Sequence, residues 1–583
     1  MFRLQPHQER VLTYLNHVRR LLLYHGLGSG KTCTSIALAV ANQQPDKRIV
    51  VITPASLVSN YQDELRGSCG NHVRAPFDRF WIVSKDKMYH DYKDRINVLC
   101  QELKNTVIVI DEVHRLLSYT DGKQNRFFQK ILDRVGESSA CVFLSATPIT
   151  DPYKLVPLAR FLLTPREFKR SSLADVRTSK KFFDRYSFQN TIRQEKELVD
   201  IFKNRVSYFE ISQRPRVIEE DVECYMEGCT EQSRVYREAM GHDEEEEEGR
   251  RGGRTTTRIT QEFLLTARQA SNLVVRREGE EEEAITEVGR ARERLKARGI
   301  KFHTCLESVT DRKGPFFVYS NFVTESGVNA FAEYLERLYR YSDVVHPRRP
   351  VVPYRSFAVL RNDDNRSAIL ARFNSVANRD GREINIVIGS PSSAEGITLK
   401  KLREIHILDP HWMPTTTDQI IARGVRFQSH AQVNYNLVRV FHYYAVPRDP
   451  SLLSVDLHLK HLQLDKRRWL DMFTAVLKHA AIEQQPSTSR GGPAVITLNN
   501  NTNNNNKNKN NNNNTTTHST SSTNDTSNNN APHPVRPRNR RIRRITQLHP
   551  FNPRLLNKFS KRRLRKKTVI NLTDNNTTIV NLT

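Results

Sequence analysis

The sequence predicts an α/β protein of two lobes, each a parallel sheet flanked by helices, with a helical, charged segment between them and a disordered basic tail after them. Three observations predict it. Short apolar runs alternate with polar, helical-looking stretches up to residue 164, the same alternation resumes at 313, and hydrophobic periodicity stops near Gln484. Short buried runs of this kind are the mark of parallel strands covered on both faces. At 583 residues the chain also exceeds what one hydrophobic core usually organises.

In the first lobe, 1–164, the strands are RLLLYHG, RIVVITP, RFWIVSK, TVIVIDE and ACVFLSATP. The middle segment, 165–312, reads as helical. Its acidic run from Asp243 to Glu248 and the Gly/Arg run from Gly249 to Gly253 are expected as loop, because such compositions bury too little apolar surface to offset chain entropy. Glu280 to Glu283 adjoin basic helix-forming sequence and read as the solvated start of a helix. The second lobe, 313–483, carries the strands GPFFVYSNF, RSFAVLR, INIVIGS and EIHILDP. In the tail, 484–583, an asparagine tract from Asn499 to Asn514 precedes a segment from Arg536 to Lys567 with fourteen lysines and arginines and no acid.

The net charge of +27 and pI of about 9.8 point to a partner rich in phosphates, with an anionic membrane surface as the alternative. More than half of that charge sits on the tail. The tail fits salt-sensitive, sequence-blind nucleic-acid binding, a nuclear-localisation signal or an acidic protein partner. No stretch approaches the ~20 apolar residues that span a bilayer, and MFRLQPHQER lacks a signal peptide's apolar core, so a soluble intracellular protein is expected. The seven cysteines have no disulfide-like spacing and are expected as reduced thiols. Cys224 and Cys229 lack the second Cys/His pair of a zinc site.

The sharpest motif is Gly26-Leu27-Gly28-Ser29-Gly30-Lys31-Thr32, after the run LLLYH and before the helical CTSIALAVANQ. This strand, loop and helix order suits a phosphate-binding loop. Backbone N–H groups curl around phosphates, Lys31 reaches the β/γ oxygens and the Thr32 hydroxyl ligates Mg²⁺. About eighty residues on, Val107–Ile110 runs into Asp111-Glu112-Val113-His114, which places two carboxylates at the C-terminal end of a buried strand, where α/β sheets hold ligands. Asp111 is expected to hold Mg²⁺ and Glu112 to polarise the attacking water.

Asp111–His114 together with Ser145-Ala146-Thr147 resembles motifs II and III of superfamily 2 helicases. That resemblance implies RecA-like lobes, ATP and Mg²⁺ as cofactors, and coupling roles for His114, Ser145, Ala146, Thr147 and Gly396. It makes Gln8, within Leu4–Gln8, the reader of the adenine edge, with an ordinary helix-surface glutamine as the alternative. Thr53-Pro54 resembles motif Ia, which touches the nucleic-acid backbone, or is a strand-ending turn. Phe317–Asn321, Gly389–Leu399 and Gln419–Arg426 resemble motifs IV, V and VI. Gln419, Arg423 and Arg426 are spaced to share one face of a helix aimed into the interlobe cleft, one arginine acting as a finger. Taken alone, that spacing also fits a solvated basic face.

Phe263–Asn272 and Arg423–His430 further resemble helicase-like ATPases of nucleocytoplasmic large DNA viruses, of the poxvirus early transcription factor small subunit and nucleoside triphosphatase I type. Where such proteins often carry Arg-Ala-Ile-Arg, this chain has Arg423-Gly-Val-Arg426. A helix-interior glycine costs about 1 kcal/mol relative to alanine. The expected activity is an ATP-dependent helicase or translocase on nucleic acid, DNA favoured. A DNA-dependent ATPase serving viral transcription initiation or termination without strand separation is the second reading, and a non-enzymatic DNA-binding scaffold the third. If the chain is viral, its place is the host cytoplasm, the nucleus or the virion, and viral transcription machinery is a further candidate partner.

Overall fold

The computed structural model describes residues 3–484, except 13, 17, 45, 118–121, 190, 212–213, 228–229, 251–263, 275–287, 362 and 392–395. The asparagine tract, the basic segment, Glu280 to Glu283 and most of the Gly/Arg run therefore lie outside the described residues.

The five apolar runs of the first lobe form β1 (Arg20–His25), β2 (Ile49–Thr53), β3 (Phe80–Ser84), β4 (Val107–Ile110) and β5 (Ala140–Ser145). A hairpin, β6 (Ser187–Phe188) with β7 (Thr191–Ile192), precedes β8 (Val206–Phe209). The sheet order is β3-β2-β4-β5-β1-β8, every pair parallel. The second sheet contains β9 (Arg216–Met226), β10 (Phe316–Tyr319), β11 (Ser342–Asp343), β12 (Ser356–Val359), β13 (Ile386–Gly389), β14 (Glu404–Ile407) and β15 (Leu437–Pro447). Its order is β11-β12-β13-β10-β14-β15-β9, again wholly parallel. Valine, isoleucine and leucine dominate the central strands because helices cover both faces, and the loops at their C-terminal ends are free to build a site. Among the described residues no helix is long and apolar enough to cross a membrane.

The middle segment departs from its helical reading, since it supplies an edge strand to each sheet. β9 is disguised by Glu219, Glu220, Asp221 and Glu223, which fit the charged, helical reading of the segment. As an edge strand it carries them on exposed positions and pairs three of them with His442, Arg439 and Lys460, which an edge tolerates and a central strand does not. The acidic run expected as loop continues as backbone helix, Glu231–Arg250, consistent with glutamate's good helix propensity. The reduced-thiol expectation is also corrected, because Cys33 and Cys69 form a disulfide. They are 36 residues apart in sequence, and only the packing of helix α2 (Lys31–Asn42) beside α4 (Ser68–His72) brings them together. The virus-like segment, described from Leu264 onward, is buried in the second lobe, where Ser271 donates to Asp456 and Asn272 to Asp409.

Arg20 ties the first lobe together from the start of β1. It is 1% exposed, and its guanidinium donates to the carbonyls of Leu132 (2.7 Å), Phe161 (3.1 Å) and Leu163 (2.5 Å). These belong to the last turns and cap of the helices Gly122–Val135 and Leu155–Leu162, whose C-terminal ends favour a cation. Arg20→Met keeps the apolar stem and strands three buried acceptors, so a loss on the order of 3–5 kcal/mol is expected in urea unfolding. A loss below about 1 kcal/mol would mean that water replaces the guanidinium.

The helix Val455–His479 joins both cores. Val455 and Leu459 pack with Met226, Tyr236 and Ala445 of the second lobe. Leu470, Phe473, Val476 and Leu477 belong to the core of the first, with Phe182 and Tyr186.

Candidate active site

The phosphate loop leaves β1 at His25 and enters α2 at Lys31. Gly28 and Gly30 turn it at φ of 80° and 74°, angles that other residues adopt only under strain. The Gly26 N–H donates to the Phe209 carbonyl at 2.7 Å, so β8 sets the loop's first corner. The Lys31 ammonium rests on the carbonyls of His25 (3.2 Å) and Gly26 (3.3 Å). Burial lowers its pKa while Glu112 and Asp111 oppose that fall. Ser29 Oγ is buried with no hydrogen-bond partner among the described residues, an unsatisfied donor within a loop built for anions.

Helix α1 (Pro6–Val11) grips this loop from behind. Gln8 is 3% exposed; its Nε2 donates to the Gly30 carbonyl at 3.2 Å and its Oε1 accepts the Gln5 N–H at 2.8 Å. Its amide therefore faces the loop and not the cavity. His7, which the motif reading passed over, stacks on Phe209 at 3.5 Å with a ring nitrogen 3.1 Å from the Ser29 carbonyl.

Asp111 and Glu112 stand at the end of β4, facing the loop. Thr53 Oγ1 donates to Asp111 Oδ2 at 3.1 Å, and the Glu112 N–H to Asp111 Oδ1 at 2.9 Å. Thr53 thus braces the carboxylate from the end of β2. Burial, and then the neighbouring Glu112, push the Asp111 pKa up. Burial alone would also raise Glu112, but the His114 hydrogen bond, with His114, Lys31 and Arg115 as nearby charges, holds it low. Glu112 sits at φ 49°, a left-handed conformation that costs a non-glycine residue roughly 1–2 kcal/mol. Two adjacent, half-buried carboxylates stand beside the lysine. With the Thr32 hydroxyl on the same cavity wall, this is a hard oxygen donor set that fits Mg²⁺.

A line of side chains runs from Glu112 to the second lobe. His114 Nδ1 lies 3.2 Å from Glu112 Oε2 and 2.9 Å from Ser145 Oγ. Ser145 Oγ accepts the Thr147 N–H at 3.1 Å, and Thr147 Oγ1 accepts from Gln419 Nε2 at 3.4 Å. Gly396 approaches from the second lobe as well, its carbonyl 3.5 Å from Asn60 Nδ2 on α3 (Val58–Arg66).

The shared helical face expected for Gln419, Arg423 and Arg426 is corrected. The helix Pro414–Ile421 ends before both arginines, which lie on the turn that follows. Gly424 lies on that turn, where a Cβ would come within 2.4 Å of Leu402 Cδ1; its value is close packing, and no helix-interior penalty applies. Both arginines still reach the cleft. Arg426 donates to the Ala422 carbonyl at 3.1 Å and to Thr398 Oγ1. Burial, with Arg423 nearby, lowers its pKa to about 10. Burial also lowers that of Arg423, against the pull of Glu112.

These groups converge on one cavity of about 570 Å³. Leu27, Gly28, Gly30, Lys31, Thr32, Asp111, Glu112, His114, Ala146 and Thr147 line it from the first lobe; Gly396, Gln419, Arg423 and Arg426 line it from the second. Gly26, Ser29, Ser145 and Gln8 stand behind that wall. Sequence reasoning missed Thr398, Lys400 and Phe427 on the wall. Lys400 directly follows one motif already singled out, and Thr398 and Phe427 lie inside others.

Two parallel-sheet lobes that bring a phosphate loop and an acidic pair against an arginine-bearing turn define an ATP-driven motor of the superfamily 2 type, a nucleoside-triphosphate hydrolase. Residues 5–155 match the DEAD/DEAH box helicase family and residues 301–428 the helicase conserved C-terminal domain. One stretch of each lobe is thus similar to this helicase family. It is 28% identical over 528 residues to an inferred ATP-dependent RNA helicase of Acanthamoeba polyphaga mimivirus, covering 83% of this chain and 89% of that protein. An inferred helicase of Invertebrate iridescent virus 3 is 24% identical over 82% of this chain and 53% of its own length, so the chain spans about half of that relative. The termination factor NPH-I homolog of African swine fever virus is 24% identical, over 80% of this chain and 76% of that one.

Proposed function

We propose that the chain hydrolyses ATP in the interlobe cavity and uses the cycle to move along DNA. The observation that carries this reading is the convergence of Lys31, Glu112 and Arg423 on one cavity whose walls come from both lobes. In this reading the loop N–H groups and Lys31 bind the phosphates, Glu112 orients the water, and Arg423 and Arg426 balance the charge that develops at the γ-phosphoryl group. Thr32 and Asp111 would hold Mg²⁺, which when bound neutralises phosphate charge. Gln8 and His7 act on the loop's shape. The line from Glu112 through His114, Ser145 and Thr147 to Gln419 passes the state of the site from lobe to lobe.

The functional units are an ATP-binding lobe over 1–164, a middle segment over 165–312, a second motor lobe over 313–483 and a tail over 484–583 that tethers the motor to its track through the basic residues from Arg536 to Lys567. A role in viral transcription is the second reading; the name of the African swine fever virus relative favours it, and it places the chain in an infected cell or a virion with transcription machinery as partner.

Steady-state ATP hydrolysis with no polymer, single-stranded DNA, duplex DNA or single-stranded RNA tests the proposal. Stimulation of about tenfold or more by a DNA is expected, falling as salt rises because phosphate contacts release counterions. Stimulation by RNA alone would reassign the track, and no hydrolysis under any condition would leave the scaffold reading.

A further inference from the structure

The second-lobe arginines stand on a short turn after an eight-residue helix, Pro414–Ile421, that has no side-chain N-cap. Such a helix does not fix its own position. Ile420 and Ile421 sink it into the second-lobe core, and the polar groups that brace it come from the helix Val455–His479. Gln463 Nε2 donates to Thr417 Oγ1 at 2.6 Å. Arg467 grips Asp418 with both terminal nitrogens, at 2.6 and 3.1 Å, and donates to the Pro414 carbonyl at 3.3 Å. Asp418 immediately precedes Gln419, and Arg423 follows little more than a turn later.

The other end of that helix is anchored in the first lobe. Trp469 packs against its core, Leu470 and Phe473 enter it, and Phe473 meets Phe182 at 5.2 Å between ring centres. Beyond the helix, Glu483 accepts Ser207 Oγ at 2.6 Å and the Tyr208 N–H at 2.9 Å, on the strand that also receives Gly26. Arg467 thus sits three residues before the first side chain buried in the first lobe, about 5 Å along a rigid rod. Its hold on Asp418 is referenced to the lobe that carries the phosphate loop.

We propose that Arg467 is a positioning residue for hydrolysis, its two-pronged hold on Asp418 setting Gln419 and Arg423 against the phosphate loop and the carboxylate pair. The proposal rests on the role given above to Arg423. An angstrom of misplacement at a reacting centre is enough for a large loss of rate. The two side chains are 36% and 41% exposed, so an exposed pair of this kind adds little to stability and its removal spares the fold.

The test is steady-state ATP hydrolysis by the full chain against ATP concentration, with the stimulating polymer saturating and the melting temperature of each variant measured. Arg467→Ala is expected to lower kcat about tenfold with KM within about twofold and the melting temperature within roughly 2 °C. Arg467→Asp should lose at least as much, and Arg467→Asp combined with Asp418→Arg should recover to within about threefold of wild type, as coupled pairs do. A kcat for Arg467→Ala within about twofold of wild type, or a swapped pair no better than Arg467→Asp, overturns the proposal. Arg423→Ala run alongside separates the two claims. If it is inactive while Arg467→Ala is normal, only the clamp falls; if it keeps wild-type kcat, the assignment of Arg423 falls and takes the clamp with it.

Discussion

Glu112→Gln is expected to bind ATP and fail to turn it over, with kcat lowered on the order of 10³-fold and affinity changed only a few-fold. The carboxylate is half-buried, yet His114, Lys31 and Arg115 outweigh the desolvation that would raise its pKa and keep it low. It is therefore ionised at neutral pH and ready to polarise water. The amide matches its size, can still meet His114, and cannot take up a proton. A pKa depressed by folding has a second consequence. The ionised group stabilises the fold above the ordinary glutamate range, and that share is lost as pH falls through the folded-state value. Glutamine lacks it, so the variant's stability should depend less on pH below about 5. Equilibrium binding of ATP beside single-turnover hydrolysis measures both effects. A variant keeping more than about a tenth of wild-type kcat would move water activation to another group.

Arg423→Ala is expected to cost about as much, on the order of 10³-fold in kcat with KM nearly unchanged. Arg423 faces the first lobe's carboxylates from the opposite wall, and burial works against its charge. A desolvated guanidinium that meets the phosphates chiefly as charge develops lowers the barrier more than it aids ground-state binding. A rise in KM with kcat preserved would instead make Arg423 a substrate anchor. Arg426 differs because it is already spent on the Ala422 carbonyl and Thr398, and so braces the turn as well as facing the cavity.

The residues that could be read from sequence are those whose chemistry lies within a few positions of one another. Gly26–Thr32 and Asp111–His114 are each contiguous, and the strand before each carries an apolar run, so motif and context are visible together. Arg423 and Arg426 were legible as a pair, but their backbone was not. The helix stops at Ile421, and Gly424 beyond it packs on Leu402, more than twenty residues away in sequence. Gln8 and Thr53 were legible as motif members, while their partners, Gly30 and Asp111, are set by tertiary placement. β9 stayed hidden because its acids are paired only once β15 lies beside it. The Cys33–Cys69 bond and the grip of Arg467 on Asp418 likewise join elements remote in sequence, and no local pattern announces them.

The helix that closes the first lobe's core also dictates when that lobe can finish folding. Leu470, Phe473, Val476 and Leu477 fill a place beside Phe182 and Tyr186, yet they are made almost three hundred residues later. At the usual pace of synthesis that interval lasts on the order of tens of seconds. During it the nascent first lobe carries an uncovered apolar seam, open to chaperones or to a neighbouring chain on the same message. A chain interrupted before residue 455 would keep that seam for good, so the motor's first half is complete only after its second half has been made.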